Sequence, residues 1–140
     1  MVRINLIDPK ALADQHLVAE YNEILMLLGY VRKNPEPKDI PKDYCLGKGH
    51  IIFFKDKLWY LKKRHEKLKT EMKKRGFNPE KTIKLKEFSK KLCNDWVPKK
   101  KDKDMIKKRL IEKIRKKPGY YRYYSKEKSV NFFVRLVKDE

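Results

Sequence analysis

The chain has 140 residues, with 38 Lys plus Arg against 19 Asp plus Glu and a formal charge of +19. That length accommodates one domain with a small core, and the charge predicts attraction to a polyanion, nucleic acid first and anionic membrane second, with strong salt dependence. No apolar run approaches the roughly 18–20 residues that span a bilayer, and Arg3 and Asp8 interrupt any early apolar segment of the signal-peptide kind, so the expected location is cytoplasmic, or nuclear in a eukaryote.

Val2 to Ile7 reads as a short, strand-like leader. Asp8-Pro9 is a helix-start signal, because Asp caps orphan N–H groups and Pro suits the first helical position. From Ala11 no Pro or Gly intervenes until Gly29, and Leu17, Tyr21, Leu25 and Leu28 form an apolar stripe. His16, Glu20 and Glu23 fall at i, i+4 and i+7, stacked along one face, and a leader that folds back would bring its α-amino group to them. Gly29 to Lys33 ends the pattern, and Pro35, Pro37 and Pro41 make the next stretch an extended loop. Gly47-Lys48-Gly49-His50 has two readings: a loop that brings backbone close to a phosphate, or a turn before the next helix. Cys45 and Cys93 lack metal-type spacing and read as free, partly buried thiols.

A second helix is expected from Ile51 or Asp56 to Arg75, with Leu58, Leu61, His65, Leu68 and Met72 as its core stripe and His65 as a packed residue. Gly76 is placed to terminate it, with Phe77 as the contact beyond. Asn78-Pro79-Glu80 looks like another helix start, and a short helix is expected near Lys86 to Leu92, with Phe88 and Trp96 on the core. After a charged connection from Lys99, a third long helix should run from Lys103 to Lys117 on Ile106, Leu110, Ile111 and Ile114, with Arg109, Lys113 and Lys116 on a solvated face and Pro118-Gly119 as the stop. In Tyr120-Tyr121-Arg122-Tyr123-Tyr124, aromatic rings and a guanidinium can stack on bases and contact phosphates, which makes Tyr120 and Arg122 candidate DNA contacts, while other tyrosines pack inward. The tail from Ser125 to Glu140 adds a strand or short helix, or meets a partner. The fold class is therefore all-α: a compact single domain of about three main helices with long loops.

An α-amine ionises near about 7.7–8.0, well below the ~10.4 of lysine. More of it is neutral at physiological pH, and burial or cationic neighbours increase that fraction. A neutral amine can attack the anomeric carbon of a sugar to give a Schiff base, after which the 3′ phosphate leaves by β-elimination. The reaction needs a carboxylate alongside to stabilise the cationic sugar and move protons. Helical spacing alone leaves Glu23, Glu20 and His16 as equal candidates.

Val2-Arg3-Ile4-Asn5-Leu6, Leu12-Ala13-Asp14-Gln15-His16-Leu17 and Ala19-Glu20-Tyr21-x-Glu23 closely resemble the pyrimidine dimer DNA glycosylase/AP lyase family, the phage and algal-virus endonuclease V of ultraviolet repair. The likeness continues in Gly47-x-Gly-His50, in Phe53-Phe54-x-Asp56-Lys57-Leu58 and in the tyrosine cluster after a proline, but not in the 125–140 tail. The resemblance implies that the amine exposed by removing Met1, here on Val2, is the nucleophile and Glu23 the carboxylate. It also implies that Arg3, Gln15, His16, Arg109 and Lys113 stand at DNA or active-site positions. The expected partner is double-stranded damaged DNA, kinked with a nucleotide extruded, bound by a monomer that uses no metal or cofactor and no membrane. Family members usually carry phosphate-gripping arginines where this chain has Asn22 and Met26. That departure keeps open an AP lyase or a glycosylase for another damaged base. A non-catalytic, basic helical nucleic-acid-binding module is the alternative from a different class.

Overall fold

The computed structural model describes residues 3–140. Five α-helices are present among them: α1 (Asp14–Lys33), α2 (His50–Phe53), α3 (Leu58–Lys74), α4 (Lys100–Lys116) and α5 (Val130–Lys138). Two short strands, β1 (Arg122–Tyr123) and β2 (Lys126–Glu127), form an antiparallel hairpin between α4 and α5. The all-α expectation holds in outline, and the expected count of three main helices matches only the long ones, α1, α3 and α4. α1 packs on α3 and α4 packs on α5, around a core that runs from Ile4 to Val137.

The apolar stripes do what their spacing requires. Leu58, Leu61, His65, Leu68 and Met72 are all buried along α3, as are Ile106, Leu110, Ile111 and Ile114 along α4. On α1 the buried line is Leu17, Tyr21, Ile24, Leu27, Leu28 and Val31, and Leu25 is only partly covered. α3 ends as Gly76 and Phe77 predict. Gly76 adopts φ +90°, its N–H bonds Lys73 O at 3.1 Å, and the Phe77 N–H bonds Met72 O at 2.9 Å.

Several boundaries differ from the sequence expectations. Asp8-Pro9 starts only a 3-10 turn, Pro9–Ala11, with the Asp8 carboxylate accepting from the Lys10 N–H. α1 itself begins at Asp14 and continues through Gly29 to Lys33, because Leu27, Leu28 and Val31 extend the buried line past the glycine. Asn78-Pro79-Glu80 starts no helix, and of the expected Lys86–Leu92 helix only a 3-10 turn at Lys90–Leu92 forms, capped by Ser89. α4 begins three residues earlier than expected, where the Asp102 carboxylate accepts the Lys99 N–H at 2.9 Å. The tail becomes α5, capped by Ser129, with Phe133, Val134 and Val137 buried.

From Arg3 to Ile7 the leader is neither strand nor regular helix. It is buried and irregular, and Leu6 has φ 63° inside a three-residue turn closed by the Ile7 N–H to Asn5 O at 2.6 Å. Buried irregular backbone must have its polar groups satisfied by side chains. Arg64 of α3 donates to Ile7 O and holds Glu20 of α1 through two bonds of 2.7 and 3.0 Å. Arg75 donates to Leu12 O at 2.7 Å and Pro9 O at 3.1 Å, and pairs with Asp14 and Glu71. Both guanidiniums are buried, so each ion pair is worth most as a set of satisfied partners. Glu20→Ala should lower the unfolding free energy by about 3–5 kcal/mol, because it strands a buried guanidinium; urea denaturation measures it.

Candidate active site

The segment from Tyr44 to His50 holds the start of the leader. Arg3 Nε donates to Leu46 O at 2.7 Å, the Ile4 N–H donates to His50 Nε2 at 3.0 Å, and the Tyr44 hydroxyl donates to Ile4 O at 2.9 Å. His50 Nδ1 lies 2.7 Å from Cys45 O. An Nε2 that accepts leaves Nδ1 as the donor, so this imidazole is neutral with its tautomer set. Burial pushes its pKa down to about 4. Gly47-x-Gly-His50 is thus the turn before α2. Gly49 is needed for close packing: a Cβ there would come within 2.8 Å of Pro41 Cγ and 3.0 Å of Cys45 Sγ. Cys45 and Cys93 are both free thiols.

Beside this clamp α1 presents Glu23, half-buried, with its pKa raised by burial and partly held back by the Arg3 guanidinium. The two other candidates on that face have different surroundings. Glu20 is fully buried in its ion pair with Arg64 and cannot meet a substrate. The His16 ring lies tilted against Tyr121 with ring centroids 4.7 Å apart, and its Nε2 is buried without a hydrogen-bond partner among the described residues. Its pKa falls to about 4, first through burial and then through Lys113 and Arg109. Glu23 is therefore the carboxylate of that face that is both partly exposed and beside a cation.

Arg109 and Lys113 come from α4 and are half-buried, not fully solvated as their spacing suggested. Burial lowers both pKa values first; Arg3 lowers that of Arg109 further, and Arg109 and Arg3 lower that of Lys113. Arg3, Glu23, His16, Arg109 and Lys113 thus form one electrostatic neighbourhood drawn from the leader, α1 and α4. The Gln15 amide is engaged at both ends, donating to Tyr120 O at 2.9 Å and accepting from the Arg122 N–H at 3.0 Å. Arg122 Nη1 donates to Gly119 O at 2.6 Å and Tyr121 O at 3.1 Å, and Tyr120 stands half exposed beside it. Val2 lies outside the described residues.

The hairpin turn that follows has both central residues, Tyr124 and Ser125, at positive φ, 53° and 65°. Asp14 accepts both of their N–H groups, at 3.1 and 2.7 Å, which offsets the strain of non-glycine residues there. Sequence reasoning missed the roles of Tyr44 and Tyr121. Nothing in local spacing marks Tyr44, whereas Tyr121 sits in a cluster already singled out.

A strongly cationic, mostly helical protein that sets a half-buried carboxylate beside Arg3, at one end of a buried leader, is of the class of proteins that act on polyanions. The family model for pyrimidine dimer DNA glycosylase matches residues 1–85, the leader through α3 and a little beyond. The chain belongs to that family, and its substrate is accordingly DNA. The match includes Arg3, Gln15, His16 and Glu23 and stops short of Arg109, Lys113, Tyr120 and Arg122. No helix among the described residues is long and apolar enough to cross a membrane.

Two measurements probe this arrangement. All three histidines of the chain have folded pKa values near 4, below the ordinary 6.5. Each therefore protonates more readily in the unfolded chain, so their contribution to stability is complete above about pH 6.5 and is lost as pH falls toward about 4. Urea midpoints taken from pH 7 to pH 4 should fall steeply. Tyr44→Phe leaves Ile4 O with no partner in a buried place, and a loss of about 1–3 kcal/mol is expected, with faster exchange of the leader amides read by hydrogen–deuterium exchange.

Proposed function

We propose that this pyrimidine dimer DNA glycosylase works through a Schiff base and also cleaves the strand as an AP lyase. The nucleophile in this reading is the α-amine of Val2 after removal of Met1. Its lone pair attacks C1′ of the deoxyribose, the glycosidic bond breaks, and the electron pair leaves with the pyrimidine, which stays joined to its neighbour through the dimer ring. Loss of a proton from nitrogen and opening of the sugar ring give the imine. Removal of a proton from C2′ then expels the 3′ phosphate, and water releases the enzyme's amine.

The observation that carries the reading is Glu23. It is a half-buried carboxylate whose pKa burial raises, beside Arg3. Such a group can stabilise the sugar cation as an anion and relay a proton. The neighbouring charges of Arg3, Arg109 and Lys113 supply two further terms. They favour a neutral amine nearby, and they attract the phosphates that flank the lesion. One residue of chain, about 3.8 Å between Cα atoms, separates Val2 from the clamped Arg3. An amine that sat one residue further out on a retained Met1 would be displaced by a similar distance, enough to cost orders of magnitude in rate. Gln15, His16, Tyr120 and Arg122 are assigned to the DNA-facing surface around this centre, His16 and Gln15 by shaping it through the hairpin.

Borohydride added to enzyme and abasic duplex should trap a covalent adduct, and mass spectrometry should place it on the chain's leading amine. Glu23→Gln should slow trapping and strand cleavage by about two to four orders of magnitude while DNA affinity changes little. Acetylation of the terminus should abolish cleavage and spare binding. Absence of the adduct, or full activity after either change, would overturn the reading. Nicking of ultraviolet-irradiated duplex, compared with abasic duplex, tests whether the chain releases dimers as well as cleaving abasic sites.

A further inference from the structure

The chain carries 38 lysines and arginines, yet none falls between Asp14 and Val31, nearly the whole of α1. The helix that presents Glu23 is thus the one long helix whose exposed side is almost free of cations. Its exposed residues before Arg32 are Asn22, Met26 and Tyr30, at i, i+4 and i+8, with Met26 68% exposed. Gly29, one turn beyond Met26, leaves open space where a side chain would otherwise stand. The Tyr30 ring lies under the Lys55 ammonium at 5.9 Å, which leaves Met26 as the protruding apolar member of the ridge. Glu23 adjoins this ridge, next to Asn22 and three residues before Met26.

Surfaces that run along a DNA backbone meet phosphates, and they do so with Lys, Arg and backbone N–H groups. An uncharged ridge that adjoins Glu23, itself beside Arg3, is unsuited to phosphate and suited to the faces of bases. A flexible, polarisable thioether projecting from a rigid helix is the kind of side chain that enters an opened base step.

We propose that Met26 is a specificity-determining wedge: it occupies the base stack at the lesion and holds the duplex open while the sugar reaches Glu23, with Asn22 bonding a base edge beside it. The assignment rests on the reading of Glu23 as the reacting carboxylate. The neutral ridge is the substrate-opening surface, and the cations of the site, Arg3, Arg109 and Lys113, anchor the strand backbones.

The test uses the full chain on a duplex carrying a non-cleavable tetrahydrofuran abasic analogue opposite 2-aminopurine, whose fluorescence rises on unstacking. The unaltered protein should raise the signal. Met26→Ala should remove about half of that rise or more, and should slow cleavage of abasic duplex about tenfold, while cleavage of a single-stranded abasic oligonucleotide, already unstacked, stays within about twofold. The slope of log affinity against log salt should be unchanged, since no phosphate contact is lost. Met26→Lys should lose the same fluorescence and steepen that slope. If Met26→Ala keeps the full fluorescence rise and the duplex-to-single-strand ratio, Met26 is a solvated residue or a contact for another protein, and the proposal fails. It fails equally if Met26→Lys outpaces the unaltered chain, which would make the ridge a phosphate contact. The fluorescence is read without bond cleavage, so a missing borohydride adduct would refute the amine chemistry and leave the wedge separately judged.

Discussion

A backbone that enters the core without forming a helix or a sheet must find its hydrogen bonds among side chains. Residues 3–12 do so here, and the rest of the protein is arranged around that need. Arg64 and Arg75, on one side of α3, take the carbonyls of Ile7, Pro9 and Leu12. His50 and Tyr44 take the N–H and carbonyl of Ile4. Each guanidinium brings a buried carboxylate with it, Glu20 for Arg64 and both Asp14 and Glu71 for Arg75, because an unpaired buried charge would cost more than the leader gains. The buried ion pairs of this fold are the machinery that keeps its leading segment in one place.

That arrangement also sorts the charges. Carboxylates that serve structure are buried and paired, and Glu23 alone of the three acids of α1 is left partly open, among cations that it does not outnumber. The imidazoles follow the same logic from the other side. His65 stacks on Tyr21 at 4.6 Å, His50 bridges two backbone groups and His16 packs tilted against Tyr121, and burial keeps all three uncharged near neutrality. The cations near the site are therefore Arg3, Arg109 and Lys113, and not the three histidines, which burial keeps neutral.

Much of this was legible in the residues, because helical burial repeats locally. Leu58 to Met72 and Ile106 to Ile114 announce their faces, Gly76-Phe77 announces a helix end, and His65 on an apolar line reads correctly as packing. The leader was misread as strand-like because what holds it is distant in sequence: Tyr44, His50, Arg64 and Arg75 carry no local mark of that duty. The same distance explains why spacing could not separate Glu20 from Glu23. Only the position of Arg64, 44 residues away, removes Glu20 from the surface. Arg109 and Lys113 looked solvated on their own helix, and they are half covered because the leader and the hairpin pack beside them. Local signals also promised too much: Asp8-Pro9 gives only a 3-10 turn and Asn78-Pro79-Glu80 starts no helix, while of the two readings of Gly47-x-Gly-His50 the turn holds, with Gly49 packed against Pro41 and Cys45.

The chain's two ends are joined by contacts that span nearly its whole length. The Asp8 N–H bonds the Glu140 carboxylate at 2.9 Å across 132 residues, and Gln15 bridges to the backbone of Tyr120 and Arg122 across 105 and 107. Contacts so remote form late, since the entropy of closing such loops is met only after nearer structure exists. The groups that hold Ile4, Ile7, Pro9 and Leu12, which are Tyr44, His50, Arg64 and Arg75, all lie before α4. The leader's seat is thus built from the nearer part of the sequence, and the bonds of Asp8 and Gln15 close over it from the far side.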